Sequence, residues 1–178
     1  MKTSLIYGLY LALAGLVLNL ILFFAGFHSL EKFGTGQWIG GVVGLILAVA
    51  FIALGTKARR DEIPATENFG YGRALGTGLM ISVFSCLFGI VTNFLYTRVI
   101  NPGFREVIIQ AQSAKMDGKG VSAAQIERME TFMRSPLGAV LNVVFVIIGA
   151  MIVCTIISLI TAAIFKRPAV VNQPPMAV

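Results

Sequence analysis

Charged and redox-active residues are scarce in this chain of 178 residues. Only 12% of the residues are charged, whereas a soluble domain carries about 25%. The two cysteines, Cys86 and Cys154, both lie inside apolar runs, so we expect neither a disulfide framework nor a cysteine metal site. The single histidine, His28, leaves little room for a histidine-based metal site. These shortages exclude an ordinary soluble domain and give no support for a metal centre.

Recognisable catalytic motifs are also absent from the sequence. It contains neither a His-Glu-x-x-His zinc motif nor a Gly-x-Ser-x-Gly nucleophile elbow. Asp61, Glu62 and Glu67 lie close together in one polar connection. One of them could be a catalytic carboxylate, or all three could belong to a solvated charge cluster. Because no catalytic motif surrounds them, the charge cluster is favoured. We therefore predict that the protein is not an enzyme and uses no cofactor.

Long hydrophobic runs dominate the rest of the chain. Hydrophobic residues make up 57% of it, and the mean hydropathy is +0.86. Four runs are long enough to cross the roughly 30 Å hydrocarbon core of a bilayer as α-helices. They cover residues 5–27, 38–56, 74–97 and 137–165. No run contains an ionisable Asp, Glu, Lys, Arg or His, which argues against proton-coupled transport. We predict an all-α fold, a four-helix transmembrane bundle over residues 1–167 in a lipid bilayer.

The first run has a second interpretation as a cleaved signal peptide. Lys2 provides a basic start, and Ala12-Leu13-Ala14 has the form of a small-residue cleavage site. The apolar run continues well beyond Ala14, which is typical of a membrane span. We therefore predict that this run is retained as the first span.

Basic residues in the short connections predict the orientation of the bundle. Seven of them fall on one side of a four-span arrangement: Lys2, Lys57, Arg59, Arg60, Arg73, Lys166 and Arg167. The short first connection, on the other side, contains only Lys32. Because short cytoplasmic connections are rich in Lys and Arg, we predict that both termini are cytoplasmic. These residues flank spans and form no nucleic-acid surface.

The tail, 168–178, contains three prolines and no periodicity, and is predicted to be disordered.

The connection between the third and fourth spans is predicted to form an outer amphipathic helical hairpin over residues 102–134. Apolar residues recur at helical spacing from Phe104 to Ala111, a turn follows at 117–120, and Ser122-x-x-Gln125 has the pattern of a capping box. The simplest interpretation is a connector that rests on the bilayer surface. The alternative is a docking platform for an external partner.

Three asparagines lie in the outer half of their predicted spans: Asn19, Asn93 and Asn142. They could hydrogen-bond to one another and hold the helices together. Alternatively, they could line a polar cavity that opens outward. Other polar or amphipathic residues near this level are Gln37, Trp38 and Tyr96. The lack of an ionisable residue favours the first interpretation, because functional membrane sites usually contain one.

Small residues recur at three- and four-residue spacing in the spans, for example Gly8, Ala12 and Gly15 in the first. Between helices in lipid the hydrophobic effect gives no net attraction, so close backbone approach has to replace it. These faces predict helix packing within the bundle. Some of them could instead join copies of the chain or bind another membrane protein.

The end of the third span carries a family resemblance. Tyr96 followed by Ile100-Asn101-Pro102-Gly103-Phe104, together with Lys57-Ala58-Arg59-Arg60-Asp61, resembles the bacterial "domain of unknown function 4199" membrane proteins. The resemblance implies a small bacterial inner-membrane protein with four spans, and it implies no activity. The first functional hypothesis is a structural or accessory subunit of an envelope assembly. The alternative is a small carrier or lipid-handling protein that uses the outer polar region.

Overall fold

The computed structural model describes residues 1–169. The helices are α1 (Lys2–Phe24), α2 (Phe33–Asp61), α3 (Tyr71–Leu95), a π-helical turn (Tyr96–Ile100), α4 (Phe104–Asp117), α5 (Ala123–Arg134) and α6 (Pro136–Phe165). Four of these helices, α1, α2, α3 with its π-helical turn, and α6, are long and apolar enough to cross a membrane. The prediction of an all-α fold with four spans is therefore confirmed. The tail predicted to be disordered is 168–178, and its residues 170–178 lie outside the described residues.

The ends of the helices differ from the ends of the apolar runs that predicted them. α2 contains five more residues at each end than the predicted span 38–56, and α1 begins at Lys2 but ends at Phe24, three residues early. An apolar run marks only the part of a helix inside hydrocarbon, and polar residues can continue the same backbone hydrogen bonds in the headgroup layer. After Phe24 the chain turns at Gly26, whose φ of 78° favours glycine.

The outer end of α3 widens into a π-helical turn. The Asn101 N–H donates to the Tyr96 carbonyl at 2.8 Å, a five-residue step in place of the usual four. Pro102 has no N–H with which to continue the helix. The chain therefore leaves α3 at Asn101 and enters α4 at Phe104.

The packed core lies in the inner half of the bundle, where α3 contacts α1, α2 and α6. Its buried residues are Ala48, Ile52, Ile81, Cys154 and Ile157. A Cβ added at Gly8 would lie 2.6 Å from Phe84 Cβ and 2.9 Å from the Ile81 carbonyl oxygen. One added at Gly78 would lie 2.6 Å from Ser158 Oγ. Glycine therefore permits the α1–α3 and α3–α6 contacts at these two positions.

The inner end of the bundle is closed by the chain that follows α6. Phe69 and Arg167 exchange two backbone hydrogen bonds of 3.0 and 2.8 Å, which joins the α2–α3 connection to the end of α6. The Arg167 guanidinium also donates to the carbonyls of Ile63 and Pro64 at 2.8 and 3.1 Å. Thr3 donates to Glu62, and this hydrogen bond lowers the pKa of that carboxyl group. The termini of the described chain are thus held at one end.

The predicted helical hairpin is present as α4 and α5. Arg134 of α5 joins it to α4 through an ion pair of 2.8 Å with Glu106, and it also pairs with Glu130 of α5 at 2.9 Å. Ser122 precedes α5, but its hydroxyl donates to the Gln125 side chain and makes no capping bond to the backbone, so the predicted capping box is wrong. The two side chains bond to each other at 3.2 Å, whereas a capping box requires each of them to accept from a backbone N–H.

Candidate functional site

Asn93, in the outer half of α3, lines two cavities on different sides of this helix. The first cavity, of about 260 Å³, lies between α1 and α3 and is called here the α1–α3 cavity. The second, of about 530 Å³, lies between α3, α4 and α6 and is called the outer groove. Both lie above the packed core, toward the end of the molecule that carries the hairpin.

The α1–α3 cavity contains three of the residues singled out in the sequence, Asn19, Asn93 and Tyr96. It exists because Gly15 and Gly89 line the gap between the helices, and neither has any atom within 4 Å of where a Cβ would be. The Asn19 amide donates to the Gly15 carbonyl at 3.0 Å. This bond lies within α1, so it satisfies the amide without joining two helices.

The outer groove combines an apolar wall with two amides and two guanidinium groups. It is also lined by Thr97, whose hydroxyl donates to the Asn93 carbonyl at 2.9 Å. Asn93 and Asn142 supply amides, and Arg98 and Arg105 supply guanidinium groups. The wall is made by Ile90, Phe94, Ile108, Met133 and Val143, among others. Within residues 1–169 the side-chain amides of Asn93 and Asn142 make no hydrogen bond. The groove therefore presents two unpaired amides beside hydrocarbon side chains.

The groove remains open because α6 is packed only along its inner half. The inner half contains the buried residues Cys154, Ile157, Ser158, Thr161 and Ala162, whereas the only buried residue in the first two turns is Gly138. Asn142 and Val143, which line the groove, are exposed. The side of α6 that faces α3 at this level is thus available to a molecule from the surrounding bilayer.

Arg105 holds the hairpin over the outer end of the groove. Its guanidinium donates to the carbonyls of Met133 and Ser135, the latter at 3.1 Å, and so joins the start of α4 to the junction of α5 and α6. A Cβ at Gly138 would lie 2.0 Å from the Phe132 carbonyl oxygen, so this junction requires glycine. Ser135 caps α6 by accepting from the Gly138 N–H at 3.0 Å, with Pro136 at the first position.

The four polar groups occupy two levels of the groove. Arg98, in the π-helical turn that follows α3, lies five residues beyond Asn93, which corresponds to about 7.5 Å at the rise of an α-helix. Asn142 lies seven residues into α6 from its cap, about 10 Å below the outer end. The guanidinium groups therefore lie toward the hairpin end of the groove, and the amides lie deeper in the bundle.

A cluster around Tyr96 closes the outer end of α1 and α3, and sequence reasoning missed its central partner. His28 Nδ1 is hydrogen-bonded to the Tyr96 hydroxyl, which also accepts from Asn101 Nδ2 at 3.1 Å. The Phe104 ring lies 4.4 Å from the imidazole, centroid to centroid. Burial lowers the pKa of His28. The corner from Tyr96 to Phe104 was visible in the sequence, but His28 is 68 residues from Tyr96 and no local pattern joins them.

The predicted polar cluster is divided among three places. Asn19, Asn93 and Tyr96 share the α1–α3 cavity, and Asn93 shares the outer groove with Asn142. Neither cavity is lined by Gln37 or Trp38. Gln37 accepts from Lys115 Nζ at 3.2 Å, and Trp38 is 75% exposed. Within the described chain no hydrogen bond joins any two of the three asparagines.

A family model, but no individual protein, matches this chain. The model of the family described as "Protein of unknown function (DUF4199)" matches residues 6–167, nearly the whole chain. No curated protein and no solved structure matches the chain. The resemblance noted at the Tyr96–Phe104 corner is confirmed, and the chain belongs to the DUF4199 family of proteins of unknown function.

Proposed function

We propose that this protein is a non-enzymatic lipid-binding protein of the bacterial cytoplasmic membrane, and that its outer groove holds one membrane lipid. The observation that carries the proposal is the pair of unpaired amides, Asn93 and Asn142, in a groove beside candidate membrane spans. A polar group left unpaired in hydrocarbon costs roughly 2–7 kcal/mol. An amphipathic ligand with hydrogen-bond acceptors removes this cost, and lipid tails alone cannot.

The composition of the groove supports a lipid over a water-soluble solute. Its wall is apolar where it faces the bilayer, and its charged groups lie at one end. A lipid has the same division, with a polar headgroup above hydrocarbon chains. The groove is also open along α6, so a lipid can enter sideways from the bilayer without crossing water.

The proposed orientation places both termini in the cytoplasm and the outer groove in the outer leaflet. Seven of the fourteen Lys and Arg residues lie at the end of the molecule that carries Lys2 and Arg167, against three acidic residues. The hairpin end has the other seven, but six of them lie in the long stretch 98–134 and only Lys32 lies in the short α1–α2 connection. Because Lys and Arg in short connections set the orientation, the end with Lys2 and Arg167 is the one expected to stay inside.

Native mass spectrometry of the protein purified in mild detergent tests the proposal. We expect the wild type to retain one lipid per chain. Ala139 lines the groove, so Ala139→Trp should fill it and remove the lipid. Ala150→Trp is the matched control, because this residue is exposed on the same helix and lines neither cavity. A wild-type protein with no retained lipid, or equal retention by both variants, would contradict lipid binding in the groove.

The outer hairpin supports a second candidate function, an accessory subunit of an envelope assembly. α5 has no buried residue, and an apolar Phe132 is exposed beside Arg128 and Thr131. Such a surface suits a protein partner or a second copy of the chain. The same purification separates the candidates, because a stoichiometric protein partner with an empty groove would favour the accessory subunit.

A further inference from the structure

We propose that the outer groove selects a glycerophospholipid with an anionic headgroup. In this arrangement Arg98 and Arg105 bind the phosphate, and the Asn93 and Asn142 amides donate to the ester carbonyls. The inference rests on the proposed function, since it names the class of lipid that the groove takes. Its tests therefore distinguish a wrong headgroup class from an empty groove.

Neither of the two arginines takes part in an ion pair within the described residues. Within residues 1–169 neither guanidinium has a carboxylate within 4.0 Å, and the nearest acidic residue along α4, Glu106, is paired with Arg134 at 2.8 Å. The Arg98 guanidinium carbon lies 6.0 Å from the Phe94 ring centroid, and the side chain makes no hydrogen bond to the described chain. Planar guanidinium groups bind phosphate through paired, charge-assisted hydrogen bonds.

Arg105 keeps donors for a ligand after its structural role is filled. The two hydrogen bonds that it donates, to Met133 and Ser135, both come from Nη2. Its Nη1 and Nε atoms are thus left available, and the guanidinium is fixed by the two carbonyls. Arg105 is therefore preorganised for a ligand, whereas Arg98 is free to close over a headgroup.

The spacing of the two levels matches the layering of a bilayer. The polar layer of each leaflet is about 5–8 Å thick, from the difference between the whole bilayer and its hydrocarbon core. Asn93 lies about 7.5 Å below Arg98 along α3. With the guanidinium groups at the phosphate level, the amides lie at the inner edge of the polar layer, where ester carbonyls are found.

The remaining wall of the groove is suited to the acyl chains. Ile90 and Val143 lie on the deeper side of Asn93 and Asn142, respectively, because α3 and α6 run in opposite directions. The volume of about 530 Å³ is within the range of roughly 300–1,000 Å³ typical of small-molecule sites. It accommodates the headgroup and glycerol region, while the chains continue along the exposed face of α6.

Binding of lipids with a fluorescent acyl chain to the delipidated, full-length protein tests the headgroup. The probes are phosphatidylglycerol, phosphatidylcholine and diacylglycerol, compared by fluorescence anisotropy. We expect phosphatidylglycerol to bind about tenfold or more tightly than diacylglycerol, which is the effect of at least one charge-assisted hydrogen bond. Arg98→Gln should abolish this preference. Arg128→Gln, which removes an outer-side cation that does not line the groove, should retain it.

Ester-linked and ether-linked phosphatidylglycerol test the amide level. An ether lacks the carbonyl acceptors, so the wild type should bind it about fivefold more weakly per hydrogen bond lost. An Asn142→Leu protein should bind the two lipids equally, because its amide donor is missing. Equal binding of the two lipids by the wild type would overturn the assignment of the amides.

The outcomes separate the two proposals. If Ala139→Trp abolishes binding but the wild type binds all three lipids equally, lipid binding in the groove is supported and the anionic headgroup class is wrong. If no lipid binds the wild type, the proposed function fails as well. If inorganic phosphate alone displaces the lipid completely at equal concentration, the glycerophospholipid assignment is overturned. Circular dichroism of Arg98→Gln should remain that of the wild type, since this side chain has no hydrogen bond to the described chain.

Discussion

At the scale of single residues, Tyr96 connects three parts of the chain. Its hydroxyl bonds to His28 of the α1–α2 connection and to Asn101 at the start of the hairpin, and its ring packs at 5.4 Å from Phe104. His28 comes from the α1–α2 connection, whereas Asn101 and Phe104 come from the corner that leads into α4. The outer end of the bundle therefore depends on a neutral hydrogen-bonded cluster, with no ion pair among its members in the described chain.

We expect Tyr96→Phe to lower the free energy of unfolding by about 1–3 kcal/mol, because half-buried His28 and Asn101 both lose a partner. Chemical unfolding in detergent, followed by circular dichroism, measures the change. Tyr10→Phe is the control, since Tyr10 is 51% exposed and makes no side-chain hydrogen bond to the described residues. Equal stability of the two variants would show that the Tyr96 hydroxyl does not stabilise the fold.

Acid should weaken the same cluster. Burial lowers the pKa of His28 in the folded protein, whereas in the unfolded chain it has the ordinary value of about 6.5. Between these two values the unfolded state binds more protons, so folding stability falls as the pH drops below about 6.5. His28→Asn should remove this dependence, and no other histidine can mask the result.

The carboxylates titrate in a lower range and can be distinguished from His28. Hydrogen bonds from Arg134 and Ser113 lower the pKa values of Glu106 and Glu130, respectively, so their stabilising contribution is lost only as the pH falls below their ordinary value of about 4.5. A stability curve that is flat between pH 7.5 and 5.5 in the wild type would contradict the role given to His28.

At the scale of helices, close packing of α1 on α3 is local and depends on one glycine. Gly8 is in contact with backbone atoms of α3, whereas Gly15, two turns later on α1, borders a cavity. Both glycines belong to the same small-residue stripe in the sequence. The stripe predicted which face of α1 meets α3, but it could not predict where the two helices separate.

This difference gives a matched pair of substitutions. Gly8→Ala should destabilise the protein by about 1–3 kcal/mol, because its Cβ meets the α3 backbone at 2.9–3.0 Å and cannot be accommodated by a rotamer change. Gly15→Ala should be neutral or slightly stabilising, because its Cβ meets nothing within 4 Å and alanine favours helix. Thermal unfolding in one detergent compares them, and the reverse order would contradict the observed α1–α3 packing.

At the scale of the whole molecule, the number of spans and the all-α class could be predicted because hydropathy alone determines them. The hairpin also followed from local periodicity. The division of the asparagines between two cavities could not be predicted. It depends on how α3 and α6 are rotated and on how far α6 separates from the bundle, and these are properties of long-range packing.

The proposed orientation has a direct consequence for Gly118, at the turn of the hairpin. A topology reporter inserted there should be active outside the cytoplasm, because the hairpin follows the third span. A second reporter fused after the last residue should give a cytoplasmic signal. A cytoplasmic signal from Gly118 would invert the bundle and move the outer groove to the inner leaflet.

The central claim is that the outer groove holds a phospholipid, and a crystal structure grown from a lipid mesophase containing phosphatidylglycerol tests it most directly. We expect density for a lipid between α3 and α6, with its phosphate within hydrogen-bond distance of Arg98 and its ester carbonyls at Asn93 and Asn142. The Ala139→Trp protein should lack this density. A wild-type structure in which α6 closes against α3, and the two amides bond to each other or to the protein, would contradict the claim.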